Sequence, residues 1–341
     1  MKALVVSAGH ELELRDIRPP IPGPYEALVR IIACGICSTT DRELIKGTQP
    51  YNDRYPCVLG HEAVGKVVEP GSKARTFKKG DLVTRPTAIY PGEPRDGLAS
   101  AWGGFAEFGI VRDRLAMMAD GDGSLENDYT ALRQVAVPAG TDIGHAVLAI
   151  SLAETSSWFR HLPPLSRKSA CVSGTGIAGL SIALWCMLAG VAKVIVLGRR
   201  RERLDLVREL GANHGLNVTE GDPAAVVRDL TGGGADIFIE ASGGKDQVRL
   251  GLSLIKPGGT VAIYGVPPGG KYDGMDGIPQ NVRLVSPPAE EHLAYEWTLG
   301  ILRRGVVRAE NLLTHRWPLA AYADAFAAIG KGEVVKGMLV M

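Results

Sequence analysis

The stretch Ala170-Cys171-Val172-Ser173-Gly174-Thr175-Gly176-Ile177-Ala178-Gly179 decides the fold. Residues 170–173 form a short apolar run typical of a buried strand, and the G-x-G-x-x-G pattern after it opens an apolar helix over 177–188. The three glycines permit a tight turn, close approach of a pyrophosphate and close packing of helix on strand. The free N–H groups at the start of the helix favour phosphate. We therefore predict a dinucleotide site at Gly174, Thr175, Gly176, Ile177, Ala178 and Gly179.

Strand-like and helix-like segments alternate on both sides of this stretch. The predicted helices are 148–161, 177–188, 201–210 and 246–254, and the predicted strands are 170–173, 193–197, 236–240 and 260–265. Alternation of this kind predicts an α/β fold with a doubly wound parallel sheet. Gly265 and Val266, which end and follow the last of these strands, are included in the predicted cofactor site.

The first part of the chain has a different sequence pattern. Short β-rich runs at 1–6, 27–32, 63–68 and 106–111 are separated by clusters of Gly and Pro. This pattern indicates an antiparallel, barrel-like β domain. The final residues, 336–341, again read as a strand.

Composition excludes several classes of function. The chain has 341 residues, enough for two domains, and its formal net charge of +1 offers no basic field for nucleic acid or a membrane surface. Its five cysteines are too few and too scattered for a disulfide framework. No signal peptide or membrane-spanning stretch is visible, so we expect a cytoplasmic protein.

The residues after strand 193–197 bear on the choice of dinucleotide. A site that prefers NAD usually has an acidic residue there to hold the ribose 2′-hydroxyl. This chain has Gly198-Arg199-Arg200 instead. Gly198 is expected to leave space where the carboxylate would be, and the two arginines can hold a 2′-phosphate by charge-assisted bonds. The sequence therefore favours NADP(H), although these arginines also fit the solvated start of a helix.

The first half of the chain contains cysteine, histidine and glutamate residues that could bind a metal ion. Cys34-Gly35-Ile36-Cys37 is followed by Gly60-His61-Glu62, and later by Glu154. One Cys, one His and one Glu are suitable ligands of a catalytic zinc. Cys34 and Cys37 also form a C-x-x-C, as in a redox pair or a structural zinc site. We disfavour both because the chain has no second C-x-x-C and no βαβ unit around this one.

These motifs resemble those of the zinc-dependent medium-chain dehydrogenase/reductase superfamily, nearest to its sorbitol, threonine and glucose dehydrogenases. The matching segments are G-I-C-x-T, G-H-E-x-x-G-x-V, the glycine loop and Thr314-His315-Arg316-Trp317-Pro318-Leu319. The resemblance implies a GroES-like β-barrel catalytic domain at 1–150 and 291–341, and a Rossmann domain at 151–290. It also implies a homodimer or homotetramer.

The resemblance assigns roles by position. Cys37, His61 and Glu154 match the zinc ligands, and Thr39 matches the hydroxyl that relays the substrate proton. One extra residue in this chain leaves Thr40 as an alternative relay. Glu62 follows His61, so an extended backbone would point its side chain to the opposite face and make it an outer or alternate ligand. The lobe that binds a second, structural zinc falls at 87–101, which contains no cysteine. We therefore expect one catalytic zinc and no structural zinc.

The expected activity is hydride transfer between NADP(H) and a secondary alcohol, polyol, sugar or cyclitol. Two alternatives remain at this point: a zinc-free NADPH-dependent quinone or enone reductase of the same fold, and a non-catalytic NADP(H)-binding protein. Trp102, Trp158 and Tyr295 belong either to a substrate pocket or to the core.

Overall fold

A computed structural model describes residues 1–49, 52 and 54–341 of the chain. These residues divide into two compact units. The first contains Met1–Ser151 and Tyr295–Met341, and the second contains Leu152–Ala294. The first unit is therefore assembled from both ends of the chain.

Short strands dominate the N-terminal part of the first unit. The strands are β1 (Lys2–Val6), β2 (Leu12–Asp16), β3 (Glu26–Ile36), β4 (Cys57–Val58), β5 (Glu62–Pro70), β6 (Leu82–Thr84), β7 (Ala99–Ser100), β8 (Phe108–Arg112) and β9 (Ala136–Val137). The helices are α1 (Thr40–Ile45), α2 (Arg114–Ala119), α3 (Tyr129–Leu132) and α4 (Ile143–Phe159), the last of which continues into the second unit.

Strands and helices alternate in the second unit. The strands are β10 (Ser169–Ser173), β11 (Lys193–Gly198), β12 (His214–Asn217), β13 (Ala235–Glu240), β14 (Ile255–Ile263) and β15 (Arg283–Val285). The helices are α5 (Ile177–Leu188), α6 (Arg201–Glu209), α7 (Pro223–Thr231) and α8 (Gln247–Leu254). All strand pairs are parallel, in the order β12-β11-β10-β13-β14-β15. This is the doubly wound order of a dinucleotide-binding sheet.

The C-terminal segment completes the first unit with α9 (Tyr295–Arg303), β16 (Leu313–Pro318), α10 (Tyr322–Lys331) and β17 (Lys336–Val340). A four-stranded sheet has the order β2-β1-β4-β7, and a seven-stranded sheet has the order β16-β17-β3-β5-β6-β9 with β8 also paired to β3. β3 lies between β5 and β17, so Gly35 is opposite Glu62 on one side and Met338 on the other. This register brings the C-terminal strand beside the segment that contains the candidate metal ligands.

The structure confirms the expected fold class, with a β-rich unit and a parallel α/β unit. The main difference within a predicted helix is the start of α4, at Ile143 rather than at residue 148. Asp142 accepts a hydrogen bond from the His145 N–H at 3.0 Å, which caps the helix five residues earlier than the apolar pattern indicated. The last strand predicted in the Rossmann segment, 260–265, also ends earlier, at Ile263.

Candidate functional site

The glycine loop of the second unit has the backbone that its sequence predicts. Gly174 has φ +119°, and a Cβ there would lie 2.9 Å from the carbonyl oxygen of Ala241. A Cβ at Gly179 would collide with the carbonyl oxygen of Gly174. Gly176, by contrast, faces open space at the start of α5, where no side chain caps the helix. The free N–H groups of this helix end are suited to an anion.

The structure corrects the expectation that Gly198 leaves space. Gly198 ends β11, and a Cβ built on it would lie 2.6 Å from Cγ2 of Thr175 in the glycine loop and 3.1 Å from Cδ2 of Leu204. The glycine therefore lies against the side chains of Thr175 and Leu204, and the Thr175 side chain would have to move to admit a larger residue. Arg199 and Arg200 follow it with exposed side chains, just before α6. Gly265 and Val266 lie beyond the end of β14, and a Cβ at Gly243 would be 2.8 Å from the Val266 carbonyl oxygen.

In the first unit, candidate metal ligands converge where β3 ends and β5 begins. One ligand atom each from Cys37, His61 and Glu62 lies within 4.8 Å of the others. Gly60 makes this possible: its φ is +102°, and a Cβ there would lie 2.5 Å from the Phe105 nitrogen. His61 lies in the bend after Gly60, before the extended strand begins. Strict alternation therefore does not apply, and Glu62 lies near His61, with its Oε1 at 3.9 Å from Nε2.

A buried aspartate that none of the sequence motifs indicates organises these residues. Asp41 in α1 is fully buried. Its Oδ2 accepts the Cys37 backbone N–H at 2.8 Å, and its Oδ1 lies 3.3 Å from Nδ1 of His61. Among the described residues neither Oδ1 nor Nδ1 has a hydrogen-bond partner, so each is the nearest opposite group available to the other. Burial opposes a charge on His61, but the charge of Asp41 and the proximity of Cys37 raise its pKa well above the ordinary value.

This arrangement fits a zinc ion. Metal-binding histidines usually donate one ring nitrogen to a carboxylate and offer the other to the metal. The contact with Asp41 occupies Nδ1, so Nε2 is the nitrogen on the side of Glu62. A thiolate, an imidazole nitrogen and a carboxylate are the donor types that zinc accepts.

Glu62 is held by a lysine from the far end of the chain. Lys336, the first residue of β17, forms an ion pair with Oε2 of Glu62, and both side chains are buried. Ser151 donates to Oε1 of Glu62 at 3.2 Å. A Cβ at Gly35 would collide with Oε2. Burial opposes the charge on Glu62, yet the positive charges of Lys336 and His61 hold its pKa below the ordinary value.

The remaining residues proposed for this site are Glu154, Thr39 and Thr40. Glu154 belongs to the second unit, in α4, where the Tyr264 hydroxyl donates to its Oε1 at 3.1 Å. Thr39 is exposed at the N-terminal end of α1, and its side chain makes no capping hydrogen bond. Thr40 donates its backbone N–H to Sγ of Cys37 at 3.4 Å. Both threonines thus follow Cys37 within three residues, and Thr40 contacts its sulfur through the backbone N–H.

The three aromatic residues differ in their surroundings. Trp158 and Tyr295 are buried core residues. Trp102 is half-buried and has φ +68°, and its ring centroid lies 5.2 Å from that of His61. Of the three, Trp102 is therefore the one that contacts a candidate metal ligand.

Polar side chains hold the cysteine-free segment 87–101. The Arg112 guanidinium lies 3.5 Å from the centre of the Tyr90 ring and binds both carboxylate oxygens of Glu93, at 2.7 and 2.6 Å. It also donates to Glu26 at 2.7 Å, and the Tyr90 hydroxyl donates to Asp128 at 2.6 Å. Stacking and bidentate ion pairing therefore connect this segment to β3 and β8.

Comparison with known proteins indicates the same protein family as the sequence motifs. The family model "Alcohol dehydrogenase GroES-like domain" matches residues 23–120, and the model "Zinc-binding dehydrogenase" matches residues 176–286. The chain is 27% identical to a sorbitol dehydrogenase of Halalkalibacterium halodurans over 349 residues, covering 99% of each chain. It is 31% identical to an NADP-dependent isopropanol dehydrogenase of Thermoanaerobacter brockii over 252 residues, covering 71% of this chain and 69% of the relative.

A solved structure agrees with these relatives. A protein from Sinorhizobium meliloti named "putative zinc-binding dehydrogenase", solved with bound NADP, superposes with a TM-score of 0.80. Its sequence is 26% identical, and the match covers 100% of this chain and 99% of that one. The chain belongs to the zinc-dependent medium-chain dehydrogenase/reductase superfamily, the alcohol dehydrogenase superfamily. It is an oxidoreductase of the alcohol dehydrogenase kind. No helix in the described part of the chain is long and apolar enough to cross a membrane.

Proposed function

We propose that the protein transfers hydride between NADP(H) and a secondary alcohol, polyol, sugar or cyclitol with one catalytic zinc. The observation that carries the proposal is the cluster of Cys37, His61 and Glu62 with Asp41 behind it. Family membership gives this cluster a chemical role. The Thermoanaerobacter brockii relative is named NADP-dependent, which agrees with Arg199 and Arg200 in this chain.

The proposed ligands are Cys37, His61 and Glu154, with Glu62 as an outer or alternate ligand. Bound zinc would supply a Lewis acid for the substrate oxygen, and the nicotinamide would supply the hydride acceptor or donor. Asp41 fixes the ring of His61 and the backbone of Cys37, so the two ligands are oriented before metal binds. Lys336 balances the charge of Glu62.

Proton release is assigned to the hydroxyl of Thr39, with Thr40 as the alternative. Thr39 is exposed and its side chain is not used as a helix cap, so the hydroxyl can exchange protons with water. Trp102, beside His61, is proposed to line the substrate site. The substrate class rests on the sorbitol-type motifs, and a homodimer or homotetramer is proposed as the assembly.

Metal analysis and turnover test the proposal together. The purified protein should contain about one zinc per chain and oxidise members of a panel of secondary alcohols, polyols and sugars with NADP⁺. Cys37→Ser and His61→Ala should abolish turnover and leave NADPH binding intact, with Cys57→Ser as a control cysteine. Two tightly bound zinc ions per chain would contradict the zinc count. Enone or quinone reduction by metal-free protein, without alcohol oxidation, would contradict the reaction.

A further inference from the structure

A fully buried carboxylate closes the turn after β13 in the second unit. Glu240 is the last residue of that strand. Its Oε1 accepts three hydrogen bonds: from the Ser242 N–H at 2.6 Å, the Ser242 hydroxyl at 2.7 Å and the Gly243 N–H at 2.8 Å. Bonds from backbone N–H groups to a carboxylate are charge-assisted and strong. The conformation of residues 241–243 is therefore fixed by Glu240.

The other oxygen of the same carboxylate connects this turn to the next loop. The Tyr272 hydroxyl donates to Oε2 of Glu240 and also lies 2.8 Å from the carbonyl oxygen of Gly265. Gly265 donates its N–H to the Glu240 carbonyl oxygen at 3.1 Å, and a Cβ on Gly265 would collide with Oε2. Burial raises the pKa of Tyr272, and the charge of Glu240 raises it further, so the hydroxyl remains a donor.

The position of this network in the sheet indicates what it serves. A doubly wound sheet of this strand order binds a dinucleotide in two halves, one on each side of the switch between β10 and β13. The glycine loop and Arg199 follow β10 and β11, so they belong to the adenosine half. The turn after β13 and the loop after β14 belong to the other half, where the nicotinamide binds. Glu240 and Tyr272 join these last two segments.

We propose that Glu240 and Tyr272 are positioning residues for the nicotinamide half of the cofactor site. Neither needs to touch the cofactor, because they act through the backbone of residues 241–243 and 265–266. Loss of either side chain frees one or both loops. Residues 241–242 also lie against Gly174, so the effect on the adenosine half should be small in comparison with that on the nicotinamide half. The inference rests on the proposed function in one respect, the identity of the dinucleotide.

Two ligands that both bind the adenosine half can distinguish an effect confined to the nicotinamide half from damage to the whole cofactor site. NADPH occupies both halves, whereas adenosine 2′,5′-bisphosphate occupies the adenosine half alone. Glu240→Gln and Tyr272→Phe should each weaken NADPH binding roughly tenfold, which corresponds to about 1.4 kcal/mol. Binding of the bisphosphate should stay within about twofold. Glu209→Gln, at an exposed position of α6, is the matched control and should change neither constant.

The double variant and thermal melting complete the test. Because the two side chains act on the same loops, the double variant should lose much less NADPH affinity than the product of the single losses. Equal losses for both ligands, or unchanged NADPH binding, would overturn the inference. If Glu240→Gln does not fold, Tyr272→Phe decides alone, since it removes only the hydroxyl.

If the proposed preference for NADP(H) is wrong, the binding experiments give a pattern different from the one that overturns this inference. Wild-type protein that binds NADH and not NADPH would contradict the NADP(H) preference and leave this inference standing. NADH and adenosine 5′-monophosphate then replace the two probes, with the same expected contrast. Wild-type protein that binds neither dinucleotide overturns both.

Discussion

Oδ1 of Asp41 lies 3.3 Å from Nδ1 of His61, while Oδ2 of the same carboxylate accepts the Cys37 N–H. One buried side chain thus contacts both proposed zinc ligands of the first unit. The aspartate and Cys37 are close in sequence, but His61 reaches the same point only because Gly60 turns the chain before β5. The ligands are held by backbone geometry and by one carboxylate, rather than by the metal alone.

Substituting Asp41 by Asn should weaken zinc binding about 10- to 100-fold, because loss of an outer partner typically has this effect. Asp41 faces the Cys37 N–H with one oxygen and the His61 ring with the other, and Asn replaces one of these oxygens with an NH2 donor, so one of the two contacts is lost. Competition with a chromophoric chelator measures the affinity. Glu43→Gln on the same helix is the control and should bind zinc like the wild type. Equal affinity of Asp41→Asn and wild type would show that the carboxylate has no role in holding the metal.

Lys336→Met should destabilise the metal-free protein by about 3–5 kcal/mol, because it removes the lysine that is ion-paired with the buried carboxylate of Glu62. Adding Glu62→Gln should recover much of that loss, since the buried charge is then removed. Urea unfolding of the single and double variants measures both effects. Lys331→Met, an exposed residue at the end of α10, serves as the control. Simple addition of the two single costs would argue against a coupled pair.

Local signals made the second unit predictable. The glycine loop, its flanking strand and its helix lie within about 20 consecutive residues, and the predicted helix 177–188 matches α5 residue for residue. The helix α7 was not anticipated, although Asp222 caps it, Pro223 starts it and Gly232 ends it in a left-handed conformation. The segment has only nine residues, so the apolar spacing repeats too few times to indicate a helix by itself.

Long-range relationships were not predictable from local patterns. Nothing near Glu62 in the sequence indicates Lys336, because only the antiparallel pairing of β17 with β3 brings the lysine to it. The alternation rule for Glu62 failed for a related reason, since His61 precedes the strand. Gly198 was interpreted as open space, whereas Thr175 packs against it from the preceding loop. In each case tertiary packing determined the role of the residue.

Stability of the first unit should depend on pH through Asp113. This buried residue caps α2 and accepts the N–H groups of Arg75, Thr76 and Ala116 at 2.6, 2.7 and 2.9 Å. Burial alone would raise its pKa, but these hydrogen bonds outweigh burial and lower it. A carboxyl with a lower pKa in the folded state stabilises the protein fully above its unfolded pKa of about 3.9, and loses that contribution as pH falls through the folded pKa.

Asp113→Asn should therefore be less stable than the wild type by about 2 kcal/mol at pH 7. The difference should hold down to about pH 5 and shrink below about pH 4, where the carboxyl of the unfolded wild-type chain takes up a proton while that of the folded protein still keeps its charge. Urea unfolding across this pH range gives the measurement, with the exposed Glu333→Gln as control. A difference that is constant down to pH 3 would mean that the charge of Asp113 contributes nothing.

The preference for NADP⁺ should depend on Arg199 and Arg200. A 2′-phosphate carries nearly two negative charges, and a hydrogen bond to a charged group contributes about 1.5–3 kcal/mol, or one to two powers of ten in affinity. Replacing both arginines by Ala should therefore lower kcat/KM for NADP⁺ by about one to two powers of ten and leave NAD⁺ nearly unchanged. Arg201→Ala is the matched control, because that exposed residue opens α6 and is expected to act only as a helix residue.

An acidic residue at Gly198, the last residue of β11, is a less direct test of the preference for NADP⁺. Gly198→Asp would supply an acceptor for the ribose 2′-hydroxyl, but its Cβ would lie 2.6 Å from Cγ2 of Thr175 and displace that side chain of the glycine loop. We therefore expect Gly198→Asp to weaken binding of both dinucleotides, whereas the arginine variants should affect NADP⁺ alone. Steady-state kinetics with both cofactors measures this contrast. A wild-type enzyme with the higher kcat/KM for NAD⁺ would show that Arg199 and Arg200 are only the solvated start of α6.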